Sequence, residues 1–317
     1  MTLLLALAAC STDPDDTSAE LTDTTVDLRL TDADYTLPSP DADVWWGPEI
    51  EVAAGEDRVF CYFGTYTGPD VGVKTLTTFQ NDFGHHLVLM GTTASELDYP
   101  DGTVIDCTET GSLDMTTIEP MVLPTGAFVG GEALLGQTLL PEGMAVKMDE
   151  GQRWVLQAHY INTGPDPIRA QDVAVLEYLD PAVVETWAAP MAMSHGSFSI
   201  PPGESGTVTM DCAFEQEWSV LYMLGHMHEW GTSIKLEQIT PAETKVVLEV
   251  AEWSPEFRDA PPITRYAEGE YDIPVDATFR TTCTWFNDTD EPLEFPHEMC
   301  VSVGMVYPQT TAVICDY

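Results

Sequence analysis

Alternation of apolar and polar positions, with a period of two, is the dominant pattern along this chain. In RWVLQAHYIN, running from Arg153 to Asn162, Val155, Gln157, His159 and Ile161 fall on one face of an extended strand. Trp154, Leu156, Ala158 and Tyr160 fall on the other, and Gly164-Pro165 ends the run. In SVLYMLGHMHEWG, from Ser219 to Gly231, the residues Val220, Tyr222, Leu224, His226, His228 and Trp230 share a face. Further β-rich runs cover 246–250, 278–286, 299–307 and 312–315. No long segment sustains the i, i+3, i+4, i+7 spacing of a helix. Short strands between Gly and Pro turns predict an all-β fold of two tandem antiparallel β-sandwich, jelly-roll-like domains. A break at Thr186–Ser194 (TWAAPMAMS) is expected to divide them into 44–186 and 187–317.

The start of the chain differs. Residues 1–10, MTLLLALAAC, are apolar and end in a segment that resembles a bacterial lipobox, with Cys10 as the lipidated residue. The run is too short to span a bilayer. Residues 11–43 carry ten acids and a single base, Arg29. That composition predicts a disordered acidic tether, with an edge strand possible around Thr25–Leu30. Anchor and tether together imply export to a bacterial cell envelope, at the periplasm or the outer surface, with Cys10 the only link to membrane.

Charge narrows the partners. The 317 residues hold 11 Lys and Arg against 53 Asp and Glu, a formal net charge of −42. Such a surface repels phosphate backbones and anionic headgroups, which excludes nucleic-acid binding and electrostatic membrane docking. Hydrophobic residues make up 44% of the chain, enough for a packed core. A monomer is expected.

Beyond Cys10 there are six cysteines, at 61, 107, 212, 283, 300 and 315. An even number in an exported chain suggests disulfides, with 15 pairings open. If the two halves are separate domains, Cys61 and Cys107 form the bridge of the first. None of the six lies in a C-x-x-C, so a zinc site has no support.

Four of the seven histidines form two doublets, His85-His86 and His226-Met227-His228. On a strand, residues i and i+2 project to the same face, so His226 and His228 can reach one metal ion. Adjacent histidines project to opposite faces. His85 and His86 can share an ion only if the backbone bulges or different ring nitrogens bind, and Gly84 beside them permits such a distortion.

The segments DFGHHLVLM, WVLQAHY, LGHMHEWG and PHEMCVSVGMVY, in this order, resemble the HH, LQxHY, HxH and EMC segments of the copper type II, ascorbate-dependent monooxygenases. That family includes peptidylglycine α-hydroxylating monooxygenase and dopamine β-monooxygenase. The resemblance runs from His85 through Cys300 and leaves out the tether. It implies two coppers per chain. His85, His86 and His159 would hold an electron-transfer copper. His226, His228 and Met299 would hold the copper at which dioxygen reacts, where a soft thioether favours the Cu(I) state. Gln157 would orient a ligand or line the path between the coppers. The resemblance also implies the pairings Cys61–Cys107, Cys212–Cys315 and Cys283–Cys300. His195 matches no ligand of the family, and His297, two residues before Met299 and next to Pro296, is expected to be a loop histidine.

The implied reaction is hydroxylation of a C–H bond of a small organic molecule, using O2 and a one-electron reductant such as ascorbate. The alternative is a copper-binding or electron-transfer envelope lipoprotein without hydroxylase activity. The peptide-amidating branch places an Arg before its HxH pair, and an Asn and a Tyr after its ligand methionine. Leu224, Val301 and Val303 stand there instead, so a peptidylglycine substrate is not expected.

Overall fold

One long sheet organises the chain. Residues 24–108, 118–119, 136–258, 261–295 and 297–316 are described in a computed structural model, with backbone alone at 118–119, 136–139 and 316. The structure is all-β, and the helical content of the described residues is two short 3-10 turns, Pro181–Val183 and Pro255–Arg258. Eight strands carry the site and its supports. They are β1 (Asp57–Thr65), β2 (Gly84–Thr92), β3 (Arg153–Ile161), β4 (Thr186–Ser194), β5 (Trp218–His226), β6 (Gly231–Ile239), β7 (Thr278–Phe286) and β8 (Val301–Tyr307).

A five-stranded sheet runs Val104–Asp106, β1, β3, β2, Ile118–Glu119. A four-stranded sheet runs Ser205–Ala213, β7, β6, Thr244–Val250. Each packs on a different stretch of an eleven-stranded sheet that contains β4, β8 and β5. The first core joins Leu87, Leu156, Ala158 and Tyr160 of the five-stranded sheet to Val73, Leu76, Val146 and Leu176 of the long one. The second joins Ile234, Leu236 and Phe279 of the four-stranded sheet to Met191, Met193, Val220 and Val306 of the long one.

Two readings of the sequence need correction in detail. The segment Thr186–Ser194, read as the boundary between domains, is itself a strand whose partners change from the first half of the sequence to the second along its length. As β4 it pairs in parallel with Met144–Met148 over residues 186–188, and with β8 over residues 189–194. Strand Val313–Asp316 joins its other side from Met191 onward. Pro190, which lacks an N–H, stands opposite Met305 of β8 and between the stretches paired by the two parallel partners. The second correction concerns the tether. Val26–Asp27 forms the anticipated edge strand, in parallel with Ile168–Ala170. Beyond it, Leu30, Tyr35 and Ala42 pack against a cluster containing Phe79, Val173 and Val175. Scattered apolar residues thus fold residues 24–43 onto the body despite their charge. Residues 1–23, including Cys10, lie outside the described residues.

The three disulfides are Cys61–Cys107, Cys212–Cys315 and Cys283–Cys300, the pairings that the resemblance implies. They place the chain in an oxidising, exported compartment. No helix among the described residues is long and apolar enough to cross a membrane.

Candidate metal centre

The first histidine doublet sits at an irregularity of the five-stranded sheet. In the β2–β3 ladder His86 stands opposite His159, but Tyr160 stands opposite Gly84. His85 is the extra residue, and this bulge turns two consecutive side chains toward the same partner. Gly84 is needed for close approach, since a Cβ there would lie 2.3 Å from the Cβ of Gln80. The rings of His85 and His159 are 4.5 Å apart, and those of His86 and His159 4.8 Å apart. The candidate ligand atoms of all three lie within 4.8 Å of one another.

The ring nitrogens divide into two sets. His85 Nδ1 and His86 Nδ1 are 3.2 Å apart. Two nitrogens bound to one tetrahedral ion at about 2.0–2.1 Å are separated by about 3.3 Å. The opposite nitrogen of His86, Nε2, lies 3.4 Å from Oε1 of Gln157. Nε2 of His159 lies 2.5 Å from Oδ1 of Asp57. The second nitrogen of both rings thus faces an oxygen acceptor, the arrangement that holds a metal-binding imidazole in one tautomer. Gln157 stands where the sequence places it, with its contact to His86.

The second doublet closes β5. Met227 is fully buried in the second core, which sends His226 and His228 away from it. Their rings are 5.1 Å apart. His228 Nδ1 donates to the carbonyl of His297 at 3.0 Å, leaving Nε2 as its ligand atom. His297 therefore acts through its backbone, while its side chain is exposed. Met299 precedes β8 rather than opening it as expected. Its N–H donates to Oε1 of Glu298 at 2.8 Å, and the N–H of His228 donates to the same oxygen. Trp230 N–H donates to Oε2 at 3.1 Å. One buried carboxylate therefore gathers the backbone of the HxH turn and the methionine segment.

Electrostatics suit metal ligation. Burial holds the imidazoles of His86 and His226 well below their ordinary value, and neighbouring histidines push the same way. Burial also lowers His159 and His228, against the opposing pull of Asp57 and of the His297 carbonyl respectively. Neutral imidazoles offer a lone pair at neutral pH without first losing a proton. Asp57 is held below the usual carboxylate range, chiefly by its bond to His159 and against partial burial. For Glu298, burial wins over three backbone donors and Trp285, and its carboxyl is pushed up to about 7.

One expectation fails here. The face expected to run from Val220 to Trp230 holds only from Tyr222 to His226: the bulge at Val220–Tyr222 takes Val220 off it, and Trp230 lies beyond the end of β5. Tyr222 is buried in the first core and Trp230 packs against the second. The sequence also gave no warning of Asp57, Glu229, Arg258 or Glu298, four charged residues among many.

No protein-family description matches the chain, and no curated protein matches its sequence. Among solved structures, the STIV MCP aligns over 83% of this chain and 96% of its own, at 10% identity and a TM-score of 0.35. PNGase F, a glycosylasparaginase from Flavobacterium meningosepticum, aligns over 87% and 98%, at 12% identity and a TM-score of 0.36. Likenesses this remote say nothing about the chemistry of this chain.

Proposed function

We propose that this chain is a copper-dependent monooxygenase that hydroxylates a C–H bond of a small organic molecule. The observation that carries this reading is the bulge that converges His85 and His86 on His159. Three neutral imidazoles suit copper in either oxidation state, and a histidine pair joined by a thioether suits Cu(I). The donor sets therefore fit the metal. His85, His86 and His159 would hold one copper, and His226, His228 and Met299 the other. Bound copper would supply one-electron redox chemistry and the activation of dioxygen.

The chain's own residues hold and orient. Gln157 turns His86, the His297 carbonyl turns His228, and Glu298 ties the HxH turn to the segment carrying Met299. The overall change consumes substrate R–H, dioxygen, two electrons and two protons, and yields R–OH and water. Ascorbate or another one-electron reductant supplies the electrons. Leu224, Val301 and Val303 offer no polar anchor for a peptide carboxylate, which favours a substrate other than a peptidylglycine. A lipid on Cys10 would hold the folded body at an envelope membrane, and the working unit is a monomer.

The test is ascorbate-dependent oxygen uptake across a panel of small substrates, with Met299→Ile beside the wild type. The variant should lose hydroxylation and keep copper at the three-histidine site. Full hydroxylation by Met299→Ile removes Met299 from the site. Copper uptake without hydroxylation of any substrate supports the carrier alternative.

A further inference from the structure

The two histidine sets are joined by a chain of charges drawn from both halves of the sequence. Asp57 opens β1 and faces Ile161 in the ladder, two residues along β3 from His159. Its carboxylate divides its oxygens. Oδ1 takes His159 Nε2 at 2.5 Å, and Oδ2 lies 3.6 Å from Nη2 of Arg258. Arg258 closes the turn Pro255–Arg258, and its Nη1 donates to Oε1 of Glu229. Glu229 directly follows His228. A continuous path thus runs from His159 through Asp57, Arg258 and Glu229 to the HxH turn.

We propose that Asp57 is a positioning residue that fixes His159 with Nδ1 toward the metal site, and that Arg258 and Glu229 tie this orientation to the turn carrying His228. The inference rests on the copper reading for its consequence, while its geometry stands without copper. A carboxylate that accepts the Nε2–H holds a single tautomer and makes the ring a stronger electron donor. The side chain of Asp57 is half-exposed, and an ion pair at such a position adds little to stability. Its effect is therefore on orientation and donor strength. Asparagine can accept the same hydrogen bond without the charge, so Asp57→Asn separates the two contributions, and Asp57→Ala removes both.

The test uses the full chain with 15N-labelled histidine. In the metal-free wild type, NMR should show His159 as the Nε2–H tautomer, with mixed tautomers in Asp57→Ala. In copper titrations against a competing chelator, Asp57→Asn should weaken one of two equivalents by roughly 10- to 100-fold. The EPR signal of that equivalent alone should change, and Asp57→Glu should partly restore both measures. Arg258→Met should keep both equivalents and the His159 tautomer, and broaden the Cu(II)–Cu(II) distance distribution from pulsed dipolar EPR. Arg258→Lys should narrow it again. Wild-type tautomer in Asp57→Ala, or wild-type affinity and EPR signal in Asp57→Asn, overturns the role of Asp57. An unchanged distance distribution in Arg258→Met overturns the tie. A wild-type protein that takes up no copper ends the copper reading, and the tautomer of His159 then still decides whether Asp57 orients it.

Discussion

Glu298 accepts the backbone N–H of His228, so a buried side chain on one segment sets the path of the turn carrying the HxH pair on another. The same carboxylate holds the N–H groups of Met299 and Trp230. Glu298→Ala leaves these buried donors without their acceptor, at a cost of about 3–5 kcal/mol. Urea unfolding should show that loss, and copper bound at the second site should fall before copper at the first. Glu298→Gln, which keeps an acceptor oxygen, should cost less.

Gly84 has a different kind of importance. A Cβ at this position would meet Gln80 at 2.3 Å, and Gly84 ends the bulge that presents His85 and His86. Gly84→Ala should destabilise the fold by roughly 1–3 kcal/mol through overpacking. It should also displace the doublet, and thermal unfolding with a copper titration should show reduced stability together with weakened first-site binding.

Away from the histidines, Asp172 is buried with Tyr160 and Gln80 donating to its two oxygens. Burial pushes its carboxyl up to about 8 from 3.8. The folded state therefore binds this proton more tightly than the unfolded state does. The stability it confers is complete below pH 4, falls as pH rises, and is lost above about pH 8. Asp172→Asn removes that dependence. Urea melts at pH 6 and pH 9 should show the variant gaining on the wild type as pH rises, by an amount on the order of a few kcal/mol at pH 9.

The histidine doublets were legible because spacing alone limits what a strand can do with them. His226 and His228 needed no distortion, whereas His85 and His86 required the bulge that the ladder contains. Cys61–Cys107 followed from the division into halves, whereas Cys212–Cys315 and Cys283–Cys300 were legible only through the family resemblance. The strand at Thr186–Ser194 was hidden because TWAAPMAMS lacks a clean alternation, and its change of parallel partner from Met144–Met148 to Val313–Asp316 is a matter of tertiary placement. Asp57, Glu229, Arg258 and Glu298 were hidden for another reason. In a chain with 53 acids, a carboxylate that holds an imidazole looks the same as one that faces water. Only tertiary placement separates them.

The central claim is that two sets of side chains, His85, His86 and His159 on one side and His226, His228 and Met299 on the other, each hold one copper. Metal analysis of the purified chain, reconstituted with copper under reducing conditions and dialysed, tests it most directly. The account predicts two coppers per chain in the wild type, one in His159→Ala and one in His228→Ala. A wild-type chain that retains no copper, or a full complement in both variants, would contradict it.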